Sequence, residues 1–156
     1  GVTLVRTHPY RFSRFLAFES IICLVFLNAR VWFVNPLSLL QVLSWIFLLG
    51  SIALVAHGFF LLKTRGEPQG DLEDTTRLIT SGAYQYIRHP LYASLLLLAL
   101  GAFLKNPSWI GGALAGATLL GAGLTARIEE DHNLERFGEN YREYIKHTKR
   151  FIPFIY

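Results

Sequence analysis

Four apolar runs divide this chain, and most of its charge lies outside them. They span about 15–34, 36–62, 90–104 and 107–127. An α-helix rises ~1.5 Å per residue, so ~20 apolar residues cross the hydrocarbon core of a bilayer. In lipid the backbone must satisfy its own hydrogen bonds, which leaves helices or a closed barrel. Runs this long, without strict alternation, predict helices. The run at 90–104 is short, and is expected to begin below the membrane boundary and lean against its neighbours. Prolines 36, 90 and 107 each fit the first turn of a helix, where the missing N–H costs nothing. With 52% hydrophobic residues, 17% charged residues and a mean hydropathy of +0.35, the chain is too apolar for an ordinary soluble domain.

Lys and Arg set the expected orientation. Arg6, Arg11 and Arg14 precede the first run, and Lys63, Arg65, Arg77 and Arg88 lie between the second and third. Arg127, Arg136, Arg142, Lys146, Lys149 and Arg150 follow the fourth, leaving only Arg30 and Lys105 for the other two connections. By the positive-inside rule both termini and the central loop are cytoplasmic, and an even number of spans is implied. The expected fold is therefore an all-α integral membrane protein of two transmembrane helical hairpins, four spans in all. A cytoplasmic loop connects them, and C-terminal cytoplasmic or interfacial helices follow. It is expected to form one membrane domain over 1–156, with hairpins at 1–62 and 90–127, a loop at 63–89 and a tail at 128–156. The compact size suggests a prokaryotic inner membrane, with the endoplasmic reticulum as the alternative.

Several function classes drop out. The net charge of +4 fits orientation and anionic lipid contact better than nucleic-acid binding. No basic stripe interleaved with aromatics occurs in a soluble segment. The single cysteine, Cys23, permits no intrachain disulfide, and no zinc-binding spacing occurs. No methionine occurs, so a native N-terminal segment is expected before Gly1. The basic N-terminus and first run mimic a signal peptide, but Glu19 and the lack of a small-x-small cleavage site argue against one.

In the fourth run, Gly112 and Gly116 have small-xxx-small spacing, which lets helix backbones approach closely. Gly123 leaves room for a cofactor. The tail is expected to form a charged helix over 129–137, a turn at Gly138, and a second helix through Tyr141, Tyr144 and Ile145. The closing aromatic residues 151–156 are expected to lie on the membrane interface or over the site.

The chemistry concentrates at 82–92, Gly-Ala-Tyr-Gln-Tyr-Ile-Arg-His-Pro-Leu-Tyr, and at Glu129-Glu130. Pro90 starts a helix, whose first-turn N–H groups and positive dipole end suit an anion such as a carboxylate. Arg88 and His89 add donors. Tyr84, Tyr86 and Tyr92 add phenols, and aromatic faces that attract cations such as a sulfonium. Glu129 and Glu130 can accept hydrogen bonds from an ammonium or from ribose hydroxyls. Together these groups complement a cationic, zwitterionic ligand bearing a sugar. Each residue alone also has an ordinary structural reading: Tyr and Arg as interfacial anchors, His89 as a helix-start hydrogen-bonding residue, the two Glu as a solvated helix start.

These stretches resemble the isoprenylcysteine carboxyl methyltransferase superfamily, which includes membrane phospholipid N-methyltransferases. The resemblance rests on 78–84 (Leu-Ile-Thr-Ser-Gly-Ala-Tyr), 88–92 (Arg-His-Pro-Leu-Tyr), Glu129-Glu130, 137–144 (Phe-Gly-Glu-Asn-Tyr-Arg-Glu-Tyr) and Ile152-Pro153. It covers about half the chain, 78–153, and the first two helices match only in character. It implies S-adenosylmethionine as methyl donor. His89, Tyr92 and the helix start at Pro90 would hold its methionine part, and Glu130 with Glu129 its polar groups. Leu78, Gly82 and Tyr84 would line the nucleoside, with the C-terminal segment closing over it. Arg88 would orient an anionic acceptor group, and Glu129 would take a proton from an amine or thiol. Carboxyl-methylating relatives carry Arg or Lys where this chain has His147, so the acceptor is widened to a lipophilic carboxylate, amine or thiol, including phospholipid head groups.

Other polar residues have less specific readings. His57 either faces the site or bonds between helices. Glu19 is costly inside a span, and so is paired, functional or at the boundary. Glu67, Asp71, Glu73 and Asp74 read as a solvated loop. Two other functions are compatible with the sequence: a non-enzymatic membrane scaffold or small transporter, and a nicotinamide-dependent membrane reductase. Oligomeric state is not readable.

Overall fold

The computed structural model describes residues 2–67 and 77–156. It is all-α among the described residues, with α1 Val2–Asn28, α2 Leu39–Arg65, α3 Pro90–Leu104, α4 Trp109–Phe137 and α5 Glu139–His147. Single 3₁₀ turns occupy Ala29–Val31 and Gly82–Gln85. The only strand-like feature described is an isolated parallel bridge between Ile87 and Lys149.

Among the described residues, three helical stretches are long and apolar enough to cross a membrane: His8–Val31, Leu39–Arg65 and Trp109–Phe137. The 15-residue α3 would rise only about 22 Å against a hydrocarbon core of about 30 Å.

The helix ends depart from the expected ones in an informative way. Pro90 does open α3, but α2 and α4 begin after Pro36 and Pro107. Each starts behind a serine. The Gln41 N–H donates to Ser38 Oγ (3.4 Å) and the Gly111 N–H to Ser108 Oγ (3.0 Å), as helix N-caps do. At the other end, α4 does not stop near 127. It runs unbroken to Phe137 and ends at Gly138, whose φ of +57° a glycine adopts without strain. Glu129 and Glu130 therefore lie within α4, and the charged helix expected over 129–137 is its last part, while the second expected tail helix is α5.

By their internal contacts the residues form two compact units, 1–51 with 95–128 and 52–94 with 129–156. In the first, Ala17, Ile21 and Leu24 of α1 pack with Leu95, Ala99 and Ala102 of α3. Two carbonyls near the C-terminal end of α3, which the helix itself cannot satisfy, accept hydrogen bonds from other helices. The Asn28 Nδ2 donates to Ala102 O and the Ser44 hydroxyl to Gly101 O, both at 2.7 Å. Lys105 is buried, donates to Gln41 Oε1 (2.8 Å) and sits 3.7 Å from the centre of the Trp45 ring. Of the expected Gly112–Gly116 pair, only Gly112 meets a neighbouring helix, a built Cβ there standing 3.8 Å from the Phe103 ring of α3. Nothing described lies within 4 Å of a Cβ built on Gly116. The close approach is at Gly121, where a built Cβ would stand 2.6 Å from Ser13 O and 2.7 Å from Ala17 N.

In the second unit, Leu61, Leu62 and Ile79 form a small core against Tyr84 and Leu91. Tyr141 and Tyr144 of α5 are buried beside each other, with ring centres 5.7 Å apart. The chain after α5 runs back along 86–89. The Lys149 N–H donates to Tyr86 O (3.0 Å), Arg88 N–H to Lys149 O (2.7 Å) and His89 N–H to Arg150 O (3.1 Å). A turn then returns it, with the Phe151 and Ile152 N–H groups donating to Tyr156 O.

Candidate functional site

The segment before α3 is fixed from three sides. Gly82 takes φ +60° and packs under His57, where a Cβ would stand 2.6 Å from the imidazole Nε2. That same Nε2 accepts the Ala83 N–H at 3.1 Å, so His57 braces the 3₁₀ turn. The Tyr144 hydroxyl donates to Tyr84 O and Ile87 O. The backbone pairing with 149–150 holds the other edge. Arg88 and His89 thereby enter the unit's interior in defined positions.

They meet two carboxylates there. Glu130 Oε1 accepts from Arg88 Nε (2.9 Å), His89 Nε2 (3.0 Å) and Arg150 Nε (3.1 Å), and its Oε2 accepts from Arg150 Nη2 (2.9 Å). Both oxygens of Glu130 are thus taken up by side chains from before α3 and after α5. Glu129 Oε1 accepts the Tyr92 hydroxyl (2.8 Å), and its Oε2 lies 3.6 Å from His89 Nδ1. His89 stands between the two carboxylates, only 4% of its side chain exposed. Burial works against its protonated form, but the hydrogen bonds and charges of Glu129 and Glu130 outweigh it and raise its pKa above 6.5. Burial pushes the Tyr141 phenol up to about 12 and the Tyr144 phenol further, so both remain protonated donors.

A cavity of ≈ 90 Å³ opens beside this cluster. Its lining is part polar, from Arg88, His89, Tyr92, Glu129, Asn133 and Tyr141, and part apolar and aromatic, from Leu62, Leu78, Ile79, Tyr84, Leu91, Phe137 and Tyr144. The structure thus brings Leu78, Tyr84, Arg88, His89, Tyr92 and Glu129 together around one space. Three other expected residues do not line it. Gly82 shapes the turn behind Tyr84, Pro90 is fully buried at the start of α3, and Glu130 is enclosed by its cationic partners.

Asn133, Phe137 and Tyr141 were missed by the sequence reading. Glu129, Asn133 and Phe137 follow i, i+4, i+8 spacing along one face of α4, a signal hidden by ending that helix too early. Of the tail, Glu129, Asn133, Phe137, Tyr141 and Tyr144 line the cavity, and the residues after Tyr144 are not among its lining. Phe151 packs on His89, 6.0 Å between ring centres, and 149–150 and 155–156 border a different space. His57 lies off the lining, and its hydrogen bond goes to the 3₁₀ turn at Ala83, not between two of the long helices. His147 is 78% exposed beside Glu143 on α5. Glu19 is exposed on α1. Glu67 pairs with Arg77 at the surface (3.3 Å), while Asp71, Glu73 and Asp74 lie outside the described residues. Among the described residues no cluster of His, Cys, Asp or Glu is suited to a metal ion.

A family model described as phospholipid methyltransferase matches residues 39–140, from α2 into α5. The likeness therefore reaches further upstream than 78, to include the second helix. A protein-S-isoprenylcysteine O-methyltransferase of Xenopus laevis is 34% identical over 130 residues, covering 74% of this chain and 43% of that protein. The isoprenylcysteine O-methyltransferase B of Arabidopsis thaliana is 34% identical over 87 residues, 53% of this chain and 43% of that protein. The corresponding Homo sapiens protein is 36% identical over 90 residues, 56% of this chain and 31% of its own length. The chain spans less than half the length of each of these relatives. All three are eukaryotic and lend no support to a prokaryotic inner membrane. No solved structure matches the chain significantly.

Proposed function

We propose, from the premise that this chain belongs to the phospholipid methyltransferase family, that it is an integral membrane methyltransferase using S-adenosylmethionine and a lipophilic acceptor. One observation carries the reading. The Glu129 carboxylate is held between Tyr92 and His89 at a cavity that apolar and aromatic side chains also line.

That donor set fits the cofactor. Glu129, Asn133 and Tyr92 offer acceptors and donors for an amino-acid head and ribose hydroxyls, while Tyr84, Phe137, Leu62, Leu78 and Ile79 offer apolar contact for a purine. At ≈ 90 Å³ the cavity is smaller than the ~300 Å³ or more of ordinary small-molecule sites, so binding requires the walls to part. When bound, the cofactor supplies an electrophilic methyl group on a sulfonium. The chain's own groups orient the reactants and exclude water, which suffices for an in-line displacement.

The geometry narrows the residue roles. Glu130 is enclosed by its cationic partners and does not line the cavity, whereas Glu129 does, so we assign the cofactor ammonium to Glu129 alone. One carboxylate does not serve both as that counter-ion and as the acceptor's base, so the base role is withdrawn from Glu129. Arg88 spends Nε on Glu130 and Nη1 on Thr148 O (2.7 Å), which makes it a positioning residue before an acceptor clamp. His89 fixes both carboxylates. The acceptor, a lipophilic carboxylate, amine or thiol, enters from the bilayer. Four spans with both termini cytoplasmic remain our proposed topology, with α3 the short member.

Calorimetric titration of S-adenosylhomocysteine into detergent-purified protein tests this, beside Glu129→Gln and His147→Ala. Saturable binding, weakened by Glu129→Gln and unchanged by His147→Ala, is expected. Folded wild-type protein that binds none sinks the reading in favour of a non-catalytic membrane protein, and displacement by a nicotinamide dinucleotide would redirect it to a reductase.

A further inference from the structure

A second cavity, of ≈ 270 Å³, lies along the segment after α5, bordered by Arg88, Thr148, Lys149, Arg150, Ile155 and Tyr156. Three of these are cations, and no acidic side chain is among the residues that border the space. Arg88 and Arg150 share the single carboxylate of Glu130 behind it. The exposed Lys149 side chain has no acidic partner among the described residues. Its backbone, however, is pinned on both sides, its N–H to Tyr86 O and its carbonyl to the Arg88 N–H, so the ammonium projects from a fixed base.

Immediately beyond, the turn at 151–156 presents apolar side chains outward. Phe154 is 83% exposed and Ile155 74%. Tyr86, itself half exposed, meets the Phe154 ring at a 59° tilt, ring centres 6.0 Å apart. The backbone bonds closing this turn onto Tyr156 hold the tips in place. A basic pocket edged by projecting apolar and aromatic groups matches the layering of a bilayer surface, where phosphates overlie acyl chains.

We propose that residues 148–156 form a binding site for an anionic phospholipid of the surrounding bilayer. Its phosphodiester sits against Lys149 and the Arg150–Tyr156 edge, while Phe154 and Ile155 enter the acyl layer. This lipid is distinct from any methyl acceptor, and the site does not depend on the chain being a methyltransferase. Arg88 borders both cavities, so occupancy here bears on the residue that also walls the proposed cofactor site.

Native mass spectrometry of the full chain released from detergent micelles tests this, with phosphatidylglycerol and phosphatidylcholine of identical acyl chains as competing probes. Wild-type protein is expected to retain phosphatidylglycerol about five-fold over phosphatidylcholine, the preference one surface lysine supports. Lys149→Glu should abolish that preference and the milder Lys149→Gln reduce it, with helical circular dichroism unchanged. Phe154→Ser should lower retention of both lipids. Equal retention of the two by wild-type protein, or a preference untouched by both Lys149 variants, overturns the proposal. So does full displacement of phosphatidylglycerol by inorganic phosphate with no effect of Phe154→Ser, which would mark a pocket for free anions only.

Discussion

His89 Nε2 lies 3.0 Å from Glu130 Oε1, while its Nδ1 lies 3.6 Å from Glu129 Oε2. Consecutive residues on a helix point about 100° apart, so a single imidazole joins carboxylates that α4 would otherwise direct to different surroundings. One of them, Glu129, faces the cavity, and the other anchors Arg88 and Arg150. Because both carboxylates favour the imidazolium, His89 titrates above its ordinary 6.5 in the folded protein.

That raised pKa makes stability depend on pH. Between 6.5 and the raised value the folded chain holds a proton the unfolded chain has released, so stability falls as pH rises through this window. Below 6.5 the contribution is fully present. Thermal unfolding in detergent across about pH 6 to about pH 9 should show the wild-type midpoint declining relative to His89→Gln. Parallel profiles would mean the imidazole is not charged in the fold.

Glu130 has a heavier structural role than its neighbour. Glu130→Gln leaves Arg88, His89 and Arg150 clustered without their shared anion, in a position where its side chain is 10% exposed. Breaking a buried ion cluster from one side costs about 3–5 kcal/mol. Arg150→Ala removes only one of the partners, and the more exposed one at 16%. The unfolding midpoint should therefore order as Glu130→Gln lowest, then Arg150→Ala, then wild type. Any other order would place the anchor of the C-terminal segment elsewhere.

Tyr92→Phe isolates one hydrogen bond of the proposed cofactor site. The ring is retained and the donor to Glu129 Oε1 at 2.8 Å is lost. Such a bond contributes about 0.5–1.5 kcal/mol to stability, so the unfolding midpoint should fall modestly, and with Glu129 no longer held S-adenosylhomocysteine should bind more weakly. Unaltered affinity would remove Tyr92 and its carboxylate from the binding surface.

The sequence made some of this legible and hid the rest for identifiable reasons. The apolar runs located α1 to α4, and Pro90 marked a helix start because its fixed φ suits the first turn. Pro36 and Pro107 misled because Ser38 and Ser108, two and one residues later, supply the hydroxyls that cap the helices. Polarity past 127 looked like a helix end, yet no residue before Gly138 breaks the backbone, so α4 carries Glu129, Asn133 and Phe137 along one face. The pairing of Glu129 and Glu130 was visible as a doublet. Their division of labour was not, because it depends on Arg150, twenty residues away along the chain.

The glycines of α4 give the sharpest contrast between spacing and contact. Gly112 and Gly116 carry the spacing that predicts close helix packing, but Gly116 faces open space, whereas Gly121 lies against the backbone of α1 at Ser13 and Ala17. A methyl group at 121 would sit 2.6 Å from Ser13 O, and because the obstacle is backbone rather than a mobile side-chain tip, α1 must move. The hydrogen bond from the Thr125 hydroxyl to Ser13 Oγ, 2.8 Å long and one turn along α4, would be strained with it. Overpacking of this kind costs about 1–3 kcal/mol. At 116 the same change relieves the glycine's helix penalty of about 1 kcal/mol and meets nothing. Gly121→Ala should thus lower the unfolding midpoint in detergent while Gly116→Ala leaves it level or raises it. The reverse order would mean that 116, not 121, is where α4 meets another helix.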